Sequence, residues 1–178
     1  MNRGVTLAIA GLLALAGCGT ADGEKSPQDV VREAGKSEKP LPGLYETAVN
    51  VLAYDIPGAS PQDADRMRHM MTGLQSQVSR FCLKASDVDK GFEEMIRRAA
   101  EDNCTFRKFD AQANSVSAQM TCDLGKQAEA SINLEGQTGA ERSRMVMEID
   151  QFAPDVPGGK VFTRMEVVNR RVGDCPQG

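Results

Sequence analysis

The sequence contains no tryptophan, a single histidine (His69) and only 4% aromatic residues. One histidine would have to serve any Ser-His-Asp triad, and no Gly-x-Ser-x-Gly motif is present, so a serine hydrolase has no support. No two cysteines have Cys-x-x-Cys spacing, which removes support for a zinc or thioredoxin-type site. No apolar run reaches the roughly 20 residues that a transmembrane helix needs. We therefore expect no catalytic residue, no cofactor and no metal.

The charge balance is slightly acidic, with 21 basic and 25 acidic residues and a net charge of −4. This balance favours solubility and argues against a nucleic-acid-binding surface. The low aromatic content leaves methionine, of which there are 9, as a flexible filler of apolar space.

The N-terminus carries the clearest signal in the chain. Arg3 precedes an uncharged apolar run over residues 5–16, which is typical of a secretory signal peptide. Leu15-Ala16-Gly17-Cys18 is similar to a bacterial lipobox. The resemblance implies removal of residues 1–17, a lipid on the Cys18 thiol and acylation of the new amine, with palmitate a typical acyl group. Because Gly19 follows Cys18, we expect the outer membrane rather than the inner one, with the protein facing the periplasm.

Three regions follow from this interpretation. Residues 1–17 are the predicted signal peptide, and residues 18–40 the lipidated cysteine and a flexible tether. The tether is rich in Gly, Ser, Pro and charge, buries almost nothing, and would hold the domain on the order of 25 Å from the membrane. Residues 41–178 have the size of a single domain.

Two helices are predicted after a first strand over residues 44–53. Ser60, Pro61 and Asp63 form a typical helix start. The apolar stripe of this helix comprises Ala64, Met67, Met71, Leu74, Val78 and Phe81. A second helix is predicted to start from a cap at Ser86, with Cys82 in the joint between the two. Its inner face comprises Val88, Phe92, Met95, Ile96 and Ala99.

From Cys104 onward apolar residues recur with period two, which indicates strands. A hairpin is predicted with its loop near residues 110–114, and Lys108 and Phe109 break the alternation. Three further strands are predicted near residues 127–135, 144–150 and 161–172. The expected fold is α+β, a helical hairpin packed on a curved antiparallel β-meander or partial barrel. Because the strands are half polar, we expect one side of the sheet to be exposed to solvent.

Four cysteines remain once Cys18 carries a lipid, and an even number in an exported chain predicts two disulfides. The hairpin register places Cys104 opposite Cys122 on one side of the sheet, so we pair these two. Cys82 and Cys175 then form the second bond by elimination.

Short motifs at both ends of this domain resemble a known family. Pro42-Gly43-Leu44-Tyr45-Glu46, the four cysteines and Arg171-Val172-Gly173-Asp174-Cys175 are similar to bacterial envelope proteins carrying the domain of unknown function 3617. Tyr45 stands where that family usually has Trp. The resemblance implies an exported, often lipid-anchored protein and supplies no catalytic residue. Arg171 and Asp174 are expected to fix the chain end beside Cys175.

We therefore expect a membrane-anchored envelope lipoprotein that is not an enzyme and acts as a binding or structural module. Its partner would be another envelope protein. The alternative is a carrier of a small apolar or lipid-like ligand, because a methionine-rich inner side can repack around varied ligands. A hydrolase is the third hypothesis, and it would need His69 beside a nucleophile or a desolvated pair of carboxylates.

Overall fold

The computed structural model describes residues 23–74, 78–88 and 90–176 and shows an α+β fold built on one antiparallel sheet. Seven strands form the sheet in the order β2-β1-β7-β6-β5-β4-β3. The sheet is open, and β2 and β3 are its two edges. The strands are β1 (Gly43–Asp55), β2 (Val78–Leu83), β3 (Cys104–Gln112), β4 (Ser115–Gly125), β5 (Ala128–Gln137), β6 (Arg142–Phe152) and β7 (Lys160–Gly173).

Four α-helices occur in the described residues. They are α1 (Pro27–Ala34), α2 (Pro61–Leu74), α3 (Ala85–Val88) and α4 (Gly91–Glu101), and a short 3₁₀ turn spans Pro157–Gly159. Helices α1 and α4 pack on each other and on β3, whereas α2 packs on β1. None of these helices is long and apolar enough to cross a bilayer.

The tether expected over residues 19–40 is wrong from Lys25 onward, because Lys25 bonds to β3 and the following helix α1 is part of the core. Val30 is 0% exposed and Ala34 1%. The main-chain N–H of Lys25 donates to the Phe106 carbonyl of edge strand β3 at 2.7 Å. Two apolar residues four apart suffice to hold one side of a short helix against the sheet. The earlier residues of the expected tether, 19–22, lie outside the described part.

The predicted helical hairpin is wrong, because a strand separates the two helices. Helix α2 begins after Ser60 as expected but ends at Leu74, and Val78 and Phe81 belong to β2. Cys82 therefore lies in a strand and not in a helical joint. Pairing of β2 with β1 over six residue pairs supplies hydrogen bonds that a continued helix face would lack. The apolar spacing of Val78 and Phe81 fits a helix, but pairing with β1 makes this segment a strand.

The second predicted helix is split, and its start is misplaced. Ser86 lies inside α3 and its hydroxyl donates to Asp87 at 3.1 Å, so it does not cap α4. On α4, Ile96 is 1% exposed as expected, whereas Met95 is 51% exposed and not on the inner face. The apolar partner of α4 is α1, which the sequence interpretation left unstructured. This partner determines which side of α4 is covered.

The predicted meander is confirmed strand by strand. Cys104 lies opposite Cys122, and the β3–β4 turn falls at residues 113–114. The break in alternation at Lys108 is a β-bulge, since the register shifts between Phe106 and Lys108. Because of the shift, Phe106 and Phe109 both face the helices, and their rings meet edge-to-face at 5.9 Å.

The buried core lies beneath α1 and α4 at the β3 end of the sheet. It consists of Val30, Ala34, Ile96, Phe106, Phe109, Ala111, Val116 and Ala118. Residues of β5 and β6 continue this apolar layer outward, among them Leu134 and Met145, which pack against the core while remaining half-buried. This cluster therefore lies at one end of a wide sheet, while Tyr45 and Ile56 are buried near the other end.

Candidate functional site

The two sides of the sheet differ sharply in chemistry. Successive side chains of a strand point to opposite sides, and the register carries that alternation from strand to strand. On one side, cross-strand pairing places buried Ala118 of β4 beside Leu134 of β5, and continues to Met147 of β6 and Met165 of β7. On the other side, the adjacent set of cross-strand partners is polar and consists of Gln119, Asn133, Glu148 and Arg164.

The apolar side continues across the middle of the sheet beyond the helices. We call its part on β5, β6 and β7 the central apolar surface. It comprises Ile132, Leu134, Met145, Met147, Ile149, Met165 and Val167. All seven side chains are half-buried. In the described part of the chain the main helix contacts fall on β1 and β3, so the helices flank this surface instead of covering it.

Helix α2 forms one flank of the central apolar surface. The hydroxyl of Tyr54, at the end of β1, lies 3.5 Å from the Sδ atom of Met67. Met67 and Met71 are half-buried, whereas Met70 is 60% exposed. With Met145, Met147 and Met165 on the sheet, thioethers supply much of the apolar material in this region. Unbranched methionine side chains adapt to neighbours of different shape.

The opposite side of the sheet carries charges that are paired across strands. The carboxylate of Glu46 accepts hydrogen bonds from Arg80 at 2.6 Å and from Arg170 at 3.2 Å. These bonds, that of Arg80 first, hold the pKa of Glu46 below its ordinary value. Glu166 accepts from Asn50 at 3.0 Å and from Arg144 at 2.5 Å, and its pKa is lowered for the same reason.

A cleft of about 580 Å³ opens on this charged side. Glu148 and Arg164 form an ion pair at 3.2 Å within its lining. Ser117 and Asn133 contribute hydrogen-bonding groups, and Leu52 contributes apolar area. Each arginine of the lining has a carboxylate partner, Arg144 in Glu166 and Arg164 in Glu148.

A second concavity of about 600 Å³ lies between α1 and α4. Its lining includes Val31, Ile96 and Ala100, with Arg32 and Arg97 at its margin. Both arginines are bound by carboxylates of their own helices, Arg32 by Asp29 and Arg97 by Glu94. We call this concavity the α1–α4 groove.

The disulfides connect the cysteines that the sequence predicts. Cys104 is bonded to Cys122 with a Cα–Cα distance of 3.9 Å, and Cys82 to Cys175 with a distance of 5.5 Å. The first closes the open end of the β3–β4 hairpin, and the second joins edge strand β2 to the C-terminal segment. Cys18, the predicted lipidation site, lies outside the described residues.

The two motifs at the ends of the domain meet in space, which sequence spacing alone does not reveal. Leu44 pairs with Gly173 where β1 runs beside β7. The guanidinium of Arg171 donates to the Pro42 carbonyl at 2.9 Å and to Asp174 at 2.5 Å, so the expected role in fixing the chain end is confirmed. Gly43 has a φ of +152°, and a Cβ there would lie 2.6 Å from the Gly173 carbonyl oxygen.

Tyr45 belongs to the same assembly and is 3% exposed. Its hydroxyl lies 2.8 Å from the Leu41 carbonyl and 3.0 Å from that of Ala140, and its ring stacks on Phe81 at 5.6 Å. Burial raises the pKa of this phenol. Tyr45 is therefore a structural residue whose ring is buried and whose hydroxyl is hydrogen-bonded to main-chain carbonyls.

The remaining candidate residues are not brought together. His69 lies exposed on α2. No group of three or more His, Cys, Asp or Glu side chains that could hold a metal occurs in residues 23–74, 78–88 and 90–176. Sequence reasoning missed the α1–α4 groove because it took α1 for a tether.

The fold and its two-sided sheet define an α+β domain closed by two disulfides, with an apolar side that helices cover at one end. Residues 40–175 match the family described as protein of unknown function DUF3617, and the chain belongs to that family. No curated protein and no solved structure shows a significant match.

Proposed function

We propose that this protein is a non-enzymatic binding module of the bacterial envelope, attached by lipid on Cys18 to a membrane, the outer one in preference to the inner, and facing the periplasm. The central apolar surface carries the proposal. Its seven apolar side chains are contiguous and remain partly accessible to solvent, and contiguous accessible apolar area marks interaction sites in soluble domains. The partner that suits it best is another envelope protein that covers β5, β6 and β7.

Attachment to the envelope is supported by two independent features. The lipobox-like Leu15-Ala16-Gly17-Cys18 supports the anchor, and the two disulfides suit an oxidising compartment. Intact mass analysis of the protein from its host tests the anchor. We expect a chain that starts at Cys18 and carries acyl mass; an uncleaved, unacylated chain would contradict it.

A matched pair of variants tests the apolar surface. Val167 and Val168 are neighbours in β7, are both half-buried, and point to opposite sides of the sheet. In the full-length protein recovered from gently solubilised membranes, Val167→Asp should abolish stoichiometric co-purification of the partner, whereas Val168→Asp should preserve it. Val167→Thr, which keeps the shape of valine, should weaken it less.

Two outcomes would oppose a protein partner. One is equal loss in both aspartate variants at unchanged thermal unfolding, and the other is the absence of any stoichiometric partner in the wild type. In the second case the domain is a structural module or a carrier.

The carrier is the second candidate, and the methionines of the apolar side favour it, because thioether side chains repack around apolar ligands of different shape. Native mass spectrometry of the gently purified full chain distinguishes it. A carrier shows extra mass matching an extractable lipid-like compound, whereas a homogeneous ligand-free mass with no extractable lipid counts against it.

A further inference from the structure

The α1–α4 groove is apolar along its floor. Ile96 is 1% exposed and forms the base, with Val31 and Ala100 on the walls. Its volume of about 600 Å³ lies within the range of small-molecule sites. Ile96 belongs to the buried core and Val31 packs against it, but the residues that line the groove lie outside the sheet and outside the central apolar surface.

Both arginines that line the groove have carboxylate partners, and Glu93 adds a further carboxylate to the lining. Arg32 is bound to Asp29 at 2.5 Å, and Arg97 is held between Glu94 and Glu101. A ligand with an anionic headgroup would have to displace these carboxylates. The groove therefore suits an uncharged hydrocarbon chain better than an anionic ligand.

The chain enters the fold beside this groove. The main-chain hydrogen bond from Lys25 to Phe106 holds the chain against β3 just before α1, and Pro27 and Gln28 line the groove two and three residues later. Cys18 precedes Lys25 by seven residues, which fully extended span at most about 25 Å. A lipid on Cys18 is thus attached within reach of the groove.

We infer that the α1–α4 groove holds one acyl chain of the lipid on Cys18 of the same molecule while the protein is away from the bilayer. This inference rests on the proposed lipidation. In water, burial in the groove removes methylene groups from solvent, which is favourable. In a bilayer the chain is already in an apolar environment and gains nothing by moving. A short connection gives the attached chain a high effective concentration that a free lipid lacks.

Photo-crosslinking of the full-length lipidated protein tests the inference. A benzophenone amino acid replaces Ala100, which is exposed and lines the groove, and in a control replaces Met95 of the same helix, which is exposed and lies outside the groove lining. After transfer to detergent-free buffer, position 100 should form an adduct with the acylated N-terminal peptide, and position 95 should not. In proteoliposomes the adduct at position 100 should decrease severalfold.

Mixing unlabelled and ¹⁵N-labelled protein before irradiation identifies the source of the chain. Adducts between peptides of the same label support the inference. Adducts that join the two labels, adducts with free phospholipid only, or no adduct at position 100 would overturn it. The intact mass of the same sample separates the two proposals: an unacylated Cys18 overturns both, whereas an acylated Cys18 without the adduct overturns this inference alone.

Hydrogen exchange gives a second test without any substitution. The lipidated protein in detergent-free buffer is compared with a chain that begins at Gly19 and therefore carries neither the thiol-linked nor the amine-linked acyl chains. Amides of α1 and α4 should exchange severalfold faster in the chain without lipid, and amides of β5 and β6 should not differ. Unchanged exchange in both helices would contradict the inference.

Discussion

The sulfur atom of Met145 occupies the space that a side chain on Gly136 would need. The two residues are paired across β5 and β6, and a Cβ built on Gly136 would overlap Sδ of Met145 and lie 2.9 Å from the Arg144 carbonyl oxygen. Gly136 thus allows Met145 to lie flat against the sheet and pack on the core cluster. The backbone of Gly136 is not in the left-handed region. The position therefore requires glycine for packing and not for backbone conformation.

Gly136→Ala should lower the free energy of unfolding by about 1–3 kcal/mol, because a methyl group there overfills a packed site. Denaturant unfolding measures the change. Gly23→Ala, where nothing lies within 4 Å of the added Cβ, is the control and should be neutral. Combining Gly136→Ala with Met145→Ala should cost less than the sum of the two single changes. Strict additivity would contradict the packing relationship.

The tetrapeptide Ser-Pro-Gln-Asp begins two helices, at Ser26 and at Ser60, with the same geometry. Each serine hydroxyl accepts from the aspartate N–H at 3.2 Å and donates to its carboxylate at 2.7 Å. Ser26→Ala should lower global stability by about 1 kcal/mol, because α1 is packed into the core. Ser60→Ala should accelerate hydrogen exchange only within α2. Equal global losses in unfolding experiments would show that α2 is as integral to the core as α1.

The same tetrapeptide shows where sequence reasoning succeeded and where it failed. It identified the start of α2, since an apolar stripe follows Ser60. It missed α1, since Val30 and Ala34 are too few to stand out among the charged residues around them. Their burial depends on Phe106 and Ile96, residues distant in sequence, so local pattern could not reveal it.

The strands from Cys104 onward were predictable because one side of each is apolar and the other polar, which fixes both the alternation and the register. Strand β2 was not, because Val78 and Phe81 continue a helical period as well as they fit a strand. Only pairing with β1 decides between the two, and that is a tertiary effect. The α1–α4 groove was unpredictable for the same reason as α1.

The two disulfides should contribute unequally. They close sequence separations of 93 and 18 residues. In the chain-entropy model the longer loop is worth about 4.7 kcal/mol and the shorter about 3. Replacing both Cys82 and Cys175 by alanine should therefore destabilise more than replacing Cys104 and Cys122, as measured by urea unfolding under oxidising conditions. A reversed order would show that native-state packing around Cys104 outweighs loop entropy.

Stability should fall in acid because of the carboxylates on the charged side. Arg80 and then Arg170 lower the pKa of Glu46, and Asn50 and then Arg144 lower that of Glu166. A carboxyl whose pKa is lower in the folded state stabilises the fold above its unfolded pKa of about 4.3, and this contribution is lost as pH falls through the folded value.

The variant Glu46→Gln/Glu166→Gln should consequently show a shallower loss of stability below about pH 4 than the wild type. Urea unfolding at a series of pH values measures both curves. Parallel curves over the acid range would mean that these two ion-pair networks do not contribute to the pH dependence.

Oxidation of methionine in intact envelopes compared with purified protein tests the binding role of the central apolar surface most directly. If a partner covers β5, β6 and β7 in the cell, Met145, Met147 and Met165 should be oxidised severalfold more slowly in envelopes than in the purified protein. Met70, which is 60% exposed on α2, is the internal reference and should react similarly in both. Equal oxidation of the three sheet methionines in the two samples, at equal oxidation of Met70, would contradict a covered apolar surface.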